Sequence, residues 1–281
     1  MNQDEIMAVV VSFNGGQKTL RTIDALIGQV DHVHVVDNSS APESVSILEK
    51  ITCKTNVSVS WLPENKGIGH ALNIGIRMAH KRGYRWLLTM DQDSIAHAAM
   101  IQAFINLVDK NSSMVCLAPQ YSEYSLNATE DVRLVDYAIT SGNLVRMDVF
   151  DRAGLYNEEL FIDGVDFDFS LRVRSAGLNI YLVGAARMQH ELGDKACTVP
   201  VLGRFHTFHT PLRRYYIYRN YLYLVNRYAT EFPGFAVKIT LSRIVYVFTI
   251  LLFGEQRLKS MLYISHGFLD YFRDIDGPFQ R

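Results

Sequence analysis

The sequence predicts an α/β fold: a mostly parallel, doubly wound sheet followed by a helical carboxyl-terminal segment. Three observations predict it. Between residues 7 and 117, five short apolar runs of strand length alternate with helix-length amphipathic segments, the pattern of right-handed βαβ units. Four of these five runs carry at most one polar residue, as strands covered on both faces do. From Arg204 onward the chain turns basic and aromatic and then almost wholly apolar, without strand punctuation.

The elements follow in order. Met7 to Phe13 is a buried strand, closed by the turn Asn14-Gly15-Gly16, and a helix runs from about Gln17 to Ile27. Val33 to Val36 is a second strand ending in Asp37-Asn38-Ser39-Ser40, and Pro42 opens a helix to about Lys50. Val57 to Leu62 alternates as a third strand, and a helix continues from the glycine-bearing stretch Gly67 to Gly75 through Lys81. Trp86 to Met90 is the fourth strand and runs directly into Asp91-Gln92-Asp93. A helix from Ile95 to Val108 and a fifth strand, Met114 to Leu117, complete the run. Beyond Pro119 the pattern gives a polar loop over 120–130, a strand at Val132 to Tyr137, a tight turn at Thr140 to Asn143, and a short helix, Met147 to Ala153. Gly154 is placed to end that helix. A further helix begins near Gly164 and stops before Gly177, and Asn179 to Val183 is a last strand. A first domain over 1–203 results, in two halves, about 1–119 and about 120–203. The carboxyl-terminal region is 204–281.

Bulk properties narrow the function. Of 281 residues, 48% are hydrophobic and 20% charged, with a formal net charge of −1; this is ordinary globular composition and carries no basic field for nucleic acid. The three cysteines, Cys53, Cys116 and Cys197, form no C-x-x-C, so reduced thiols are expected and zinc is not. The acidic amino terminus carries no signal-peptide pattern, and no uninterrupted apolar run reaches bilayer-spanning length. A cytoplasmic location is expected.

Three strand ends carry polar residues: Ser12 with Asn14, Asp37 with Asn38, and Asp91 with Asp93. Such ends gather along one edge of a parallel sheet and bound one cleft. A nucleotide fits it, with Asp37 accepting the N3–H of a pyrimidine and the acid pair holding a hard cation such as Mg²⁺ or Mn²⁺ on a diphosphate. The plainer alternatives are turn formation at Asp37 and an Asx turn at Asp91 and Asp93, with Ser94 capping the helix from Ile95. A second acidic group, Asp163, Asp166 and Asp168, lies at or near a helix start. It serves there as capping or as a general base.

The order and spacing of these pieces resemble the inverting GT-A (Rossmann-like) glycosyltransferases of family 2, closest to bacterial rhamnosyltransferases of surface polysaccharide (O-antigen) synthesis. The likeness rests on V-V-S-F-N at Val10 to Asn14, V-D-N-S at Val36 to Ser39 and N-K-G-I-G-H-A-L-N-I-G at Asn65 to Gly75. It continues through D-Q-D-S at Asp91 to Ser94, S-G-N-L-V at Ser141 to Val145 and G-L-Y-N-E-E-L-F-I-D at Gly154 to Asp163. V-D-F-D-F-S-L-R at Val165 to Arg172 and Y-I-Y-R-N at Tyr216 to Asn220 close it.

The resemblance implies a nucleotide site of Ser12, Asn14, Asp37, Asn38, Asn65, Lys66, Gly67, Asp91 and Gln92. It implies metal ligands Asp91, Asp93 and His190 for Mg²⁺ or Mn²⁺, and Asp166 as catalytic base. Asp166 follows Val165 where the family has Glu, which leaves Asp163 and Asp168 as rivals. Together with Arg219 they are the acceptor-side residues. The implied reaction is transfer of L-rhamnose from dTDP-L-rhamnose to a hydroxyl of a lipid-linked oligosaccharide. The alternatives are a UDP-sugar donor (galactofuranose, glucose or N-acetylglucosamine) and a non-catalytic nucleotide-sugar-binding subunit. The Q-x-x-R-W signature of processive members is absent from the sequence, so a single transfer per acceptor is expected.

In the carboxyl-terminal region the apolar core Ile244 to Phe253 follows Lys238 and Arg243. Peripheral attachment to the cytoplasmic membrane face, packing on the catalytic domain and a homodimer contact all remain open for it. His206 and His209 lack neighbouring acids and make a poor zinc pair.

Overall fold

The structure is a computed structural model. It describes residues 1–121, 131–190, 198–201, 204–207, 209–254 and 256–280, with backbone alone at 198–201 and 204–207. Most of the loop expected over 120–130, Cys197 and the His206 side chain lie outside the described residues. The chain divides into two compact units, Met1–Glu158 with Val165–Glu191, and Glu159–Gly164 with Leu192–Arg281. The sequence reading placed a single cut after residue 203.

The first unit contains β1 (Ile6–Ser12), α1 (Gln17–Leu26), β2 (His32–Asp37), α2 (Pro42–Glu49), β3 (Val57–Trp61), α3 (Ile68–Arg82) and β4 (Trp86–Asp91). It continues with β5 (Ser94–Ala96), α4 (Met100–Lys110), β6 (Cys116–Tyr121), β7 (Val132–Val135), β8 (Asn143–Arg146), α5 (Met147–Ala153), α6 (Val165–Ser175) and β9 (Ile180–His190). All nine strands form one sheet in the order β3-β2-β1-β4-β8-β6-β9-β5, with β7 also on β9.

The half made of β1 to β4 is parallel, in a register that places Ser12 opposite Asp37 and Val11 opposite Asp91. Every residue of β1 is buried, and each such aliphatic side chain stabilises the fold by about 1.5–3 kcal/mol relative to exposure. Gly75 of α3 lies directly on Val9, so the helix packs close to the sheet where a Cβ would collide.

Three sequence expectations change. First, the helix drawn from Ile95 begins only at Met100. Ser94 to Ala96 pairs antiparallel with β9, Ser94 opposite His190, so Ser94 caps no helix. Second, Asn143 to Arg146, read as the end of a turn and the approach to a helix, form β8, which runs antiparallel to both β4 and β6. Third, the last strand does not stop at Val183 but continues to His190.

The second unit contains the hairpin β10 (Thr198–Val201) and β11 (Arg204–Thr207), then α7 (Pro211–Tyr228), α8 (Pro233–Phe253) and α9 (Arg257–Phe272). Its helices share a cluster of Ile217, Tyr218, Tyr246, Ile250 and Ile264. Although the sequence shows no long uninterrupted apolar run, α8 is one continuous helix of 21 residues, long and apolar enough to cross a membrane by length and composition. Lys238 and Arg243 interrupt the run in sequence, but they do not interrupt the helix.

Candidate functional site

The carboxyl ends of β1, β2 and β4 are tied together by their own polar residues. Asn14, in a left-handed conformation, accepts from Ala41 N–H at 2.7 Å while its own N–H reaches Ser40 Oγ at 2.7 Å. Ser40 closes on Asp37, its N–H at 2.9 Å and its hydroxyl at 2.5 Å from the two carboxylate oxygens. Asp37 is thus buried and already a turn former, as the plainer reading held. A carboxylate has about four lone-pair sites, so these two bonds leave acceptor capacity. Ser12 shares a hydrogen bond of 3.2 Å with Thr19.

The start of α3 is anchored by asparagines. Asn38 donates to Asn65 Oδ1 at 2.9 Å and accepts from Lys66 N–H at 3.1 Å, and Asn65 accepts from Gly67 N–H at 2.9 Å. Gly67 has φ +88°, which a side chain would resist. The Lys66 ammonium reaches Glu64 at 3.2 Å on the surface. Gln92 spends its amide on Phe13, accepting from its N–H at 2.7 Å and donating to its carbonyl at 3.1 Å. It thereby locks the end of β4 to the end of β1.

Asp91, Asp93 and His190 meet where β4, β5 and β9 end. Each offers an oxygen or nitrogen within 4.8 Å of the others, and each is partly exposed. Asp93 lies 3.8 Å from His190 Nδ1. Two carboxylates and an imidazole suit Mg²⁺ or, with the nitrogen included, Mn²⁺. The donor set therefore fits the cation that the sequence led us to expect. Behind it runs a buried relay: Asp91 N–H donates to Ser141 Oγ at 3.0 Å, Ser141 Oγ to Ser94 Oγ at 2.7 Å, and Ser94 Oγ lies 2.7 Å from His190 Nδ1. Ser94 and Ser141 are both fully buried. The sequence offered Ser94 as a helix cap and Ser141 only within a turn and a family motif, and their shared role becomes visible once β5 is paired with β9.

Asp166 and Asp168 occupy the first turn of α6, where the helix dipole favours carboxylates. They face different surroundings. Asp168 is buried and holds Arg172 through Nε at 2.9 Å and Nη2 at 2.8 Å. Arg172 also donates to the Ala153 carbonyl. Asp166 is partly exposed and accepts from Phe167 N–H at 2.9 Å. Its charge is felt by the buried Tyr156 hydroxyl, which has Thr89 beside it but makes no well-formed hydrogen bond. Burial chiefly pushes the Tyr156 phenol up; Cys116 and Asp166 add to this, while Thr89 and Arg172 oppose it. Thr89 and Asp91 project from the same face of β4, two residues apart.

In the second unit, Asp163 has φ +62° and binds Arg213 through both oxygens, Nε at 3.0 Å and Nη2 at 3.0 Å. Arg219 is buried, donating to the carbonyls of Glu159, Leu160 and Gly277, and Asn220 donates to Leu160, Ile162 and Asp163. This Arg-Asn pair holds the 159–164 segment on α7.

One further cluster went unread in the sequence. Asn73 of α3, buried, clamps Tyr156 through N–H and C=O at 2.9 Å each, and donates to Glu158 at 2.7 Å. Gly69 lies so close to the Asn157 carbonyl that a Cβ would sit 2.8 Å from it. Burial alone would raise the Glu158 pKa; the hydrogen bonds from Asn73 and His70 and the charges of His70 and Arg77 outweigh it and hold the carboxyl low. The only signal in the sequence was the spacing of Gly69, His70 and Asn73 inside one helix.

Residues 7–163 match the model of glycosyl transferase family 2. The chain belongs to that family. This family 2 glycosyltransferase is 30% identical to the dTDP-rhamnosyl transferase RfbF of Shigella flexneri, over 79% of its own length and 80% of the relative's. It is 25% identical to the galactofuranosyltransferase GlfT1 of Mycolicibacterium smegmatis, over 79% and 83%. Among solved structures it resembles S. aureus TarS 1-349 in complex with UDP-GlcNAc, with TM-score 0.64 and 14% identity over 98% of this chain and 82% of that one. That likeness shows a GT-A fold. Here the first unit carries the mixed sheet, and the carboxyl-terminal helices follow it.

Proposed function

We propose that this glycosyltransferase moves L-rhamnose from dTDP-L-rhamnose onto a hydroxyl of a lipid-linked oligosaccharide, with inversion at the anomeric carbon. The observation that carries the reading is the Asp91–Asp93–His190 cluster at the strand ends, in a chain 30% identical to a dTDP-rhamnosyl transferase. Asp37 accepts the thymine N3–H on a carboxylate that Ser40 already orients. Asn38, Asn65 and Gly67 shape the start of α3 beside it. A divalent ion, when bound by Asp91, Asp93 and His190, supplies positive charge against the departing diphosphate.

Asp166 takes the proton from the acceptor hydroxyl as that oxygen attacks the anomeric carbon. The new C–O bond forms on the face opposite the one that breaks, and the electron pair leaves with the diphosphate oxygen. The site contributes mainly positioning and preorganised charge. Asp166 suits the base role better than Asp168, because it is partly exposed in the first turn of α6 while Asp168 is buried.

A second donor reading, galactofuranosyl transfer, is favoured by the likeness to GlfT1. Thymine and uracil present the same N3–H, so Asp37 does not separate them. Thermal stabilisation of the purified protein with Mn²⁺ against dTDP- and UDP-sugars tests the donor. Stabilisation by dTDP-rhamnose well above any UDP-sugar is expected, and the reverse order would overturn the rhamnose assignment.

A further inference from the structure

The exposed face of α8 belongs to no site described so far. Val237, Leu241, Ile244, Phe248, Leu251 and Leu252 are each between 41% and 63% exposed. At 3.6 residues per turn they fall within an arc of roughly 100°. The opposite side of the helix, Ala236, Ile239, Tyr246 and Ile250, is buried. The next helix repeats the arrangement: Leu258, Leu262, Leu269 and Phe272 of α9 are 47–89% exposed and lie on one stripe, opposite the buried Ser260, Ile264 and Gly267. Two adjacent helices with continuous apolar stripes exceed the scattered exposure normal for a soluble surface.

Within α8 and α9 the exposed charges are all basic, and the exposed acids nearest in sequence, Glu231, Asp274 and Asp276, lie outside both helices. No Asp or Glu occurs anywhere in α8. Lys238 is exposed about 100° round the helix from Val237. Lys259 holds the same position relative to Leu258 on α9, and the exposed Arg273 follows Phe272. The acid within α9, Asp270, is buried and accepts from the Tyr215 hydroxyl at 3.1 Å; Glu255 lies outside the described residues.

We infer that the α8 stripe, with its flanking cations, docks on an anionic phospholipid bilayer surface. An apolar face bordered by Lys and Arg is the pattern of a helix lying in the headgroup plane, and the cations complement acidic headgroups. Self-association fits less well, because a two-fold contact along the stripe would bring Lys238 toward its own copy without an acid on α8 to meet it. Although α8 is long enough to cross a membrane, its inner face is bonded within the bundle. The Tyr218 hydroxyl donates to the Arg243 carbonyl at 2.8 Å, and the Tyr221 hydroxyl donates to Thr240 Oγ1 at 3.1 Å. The helix therefore lies on the surface. This inference does not depend on the identity of the donor.

The test is co-sedimentation of the full chain with vesicles of phosphatidylcholine alone and of phosphatidylcholine with phosphatidylglycerol. We expect binding to the anionic vesicles, weakened by salt, and on the order of tenfold weaker for Phe248→Asp. Lys238→Glu should weaken it by a smaller factor, with the melting temperature unchanged in both variants. Leu241→Asp replaces Phe248→Asp should the latter fail to fold. Equal binding by wild type and the stripe variants would overturn the proposal. So would a dimer in light scattering that Phe248→Asp dissociates while no vesicles are bound, since a second copy would then cover the stripe. Retention in the membrane after alkaline carbonate washing would show α8 crossing the bilayer, and would also overturn it.

Discussion

Ser94 Oγ lies 2.7 Å from Nδ1 of His190, and the two residues face each other across the β5–β9 ladder. With Nδ1 donating to Ser94, the other ring nitrogen, Nε2, carries the lone pair that a metal needs. Ser94 can accept from both Nδ1–H and Ser141, since a hydroxyl has two lone pairs. Ser94→Ala is expected to shift the His190 tautomer, read by ¹⁵N chemical shifts in the metal-free protein. It should also weaken Mn²⁺ binding by about 10- to 100-fold with circular dichroism unchanged. Unaltered nitrogen shifts would contradict a positioning role for Ser94.

Asp166 and Asp168 sit two residues apart on α6 yet should respond oppositely to substitution. Asp168→Ala removes the buried member of an ion pair with the half-buried Arg172 and is expected to cost about 1–3 kcal/mol in chemical denaturation. Asp166→Asn should change stability by less than about 0.5 kcal/mol and abolish transfer while donor binding survives. If Asp166→Asn instead loses donor binding, the residue belongs to the nucleotide or metal site and is not the base.

Asn73→Ala removes three hydrogen bonds that hold Tyr156 and Glu158. Leaving buried backbone groups unsatisfied costs about 1–3 kcal/mol each, so a drop in melting temperature of several degrees is expected. Because Asn73 clamps the 156–158 segment rather than the strand ends, nucleotide affinity should fall much less than stability.

His34 makes stability pH-dependent. Burial, with His32 and Arg82 nearby, lowers its pKa to about 4, and Ser58 and Ser60 bond its two ring nitrogens at 2.7 and 3.1 Å. The unfolded chain takes up this proton near the ordinary histidine value of about 6.5, before the folded chain does. Unfolding free energy should therefore fall as pH drops from about 6.5 toward 4 and level off below that, by roughly 3 kcal/mol from this residue. Urea titrations of wild type and His34→Gln across that window check it. The variant should show a visibly shallower slope.

Much of the sheet was legible because β1 and β4 are apolar at nearly every position, β2 carries Val33, Val35 and Val36, and all three end in polar residues. Burial on both faces leaves no other pattern. Asp37, Asp91 and Asp93 were legible as a group for the same reason, since strand ends in parallel units share an edge. Ser94 to Ala96 was not. Ser-Ile-Ala-His-Ala-Ala has good helix propensity, and pairing with distant β9 overrides it. Gly184 hid the continuation of β9, and with it the backbone that carries His190 into the cluster. Asp168 pairs with Arg172 at i,i+4 within α6, a spacing that the sequence does carry, whereas the commitments of Asp163 and Arg219 are tertiary, to Arg213 and to the 159–164 carbonyls. No spacing along the chain announces them.

The central claim is that Asp91, Asp93 and His190 form one divalent-ion site that serves a nucleotide-sugar. Its most direct test is Mn²⁺ titration followed by electron paramagnetic resonance, with and without dTDP, on wild type and Asp93→Asn. One tightly bound ion is expected in wild type, held more tightly with dTDP present and lost in the variant. Equal Mn²⁺ binding by the two proteins, or none by wild type with dTDP present, would contradict it.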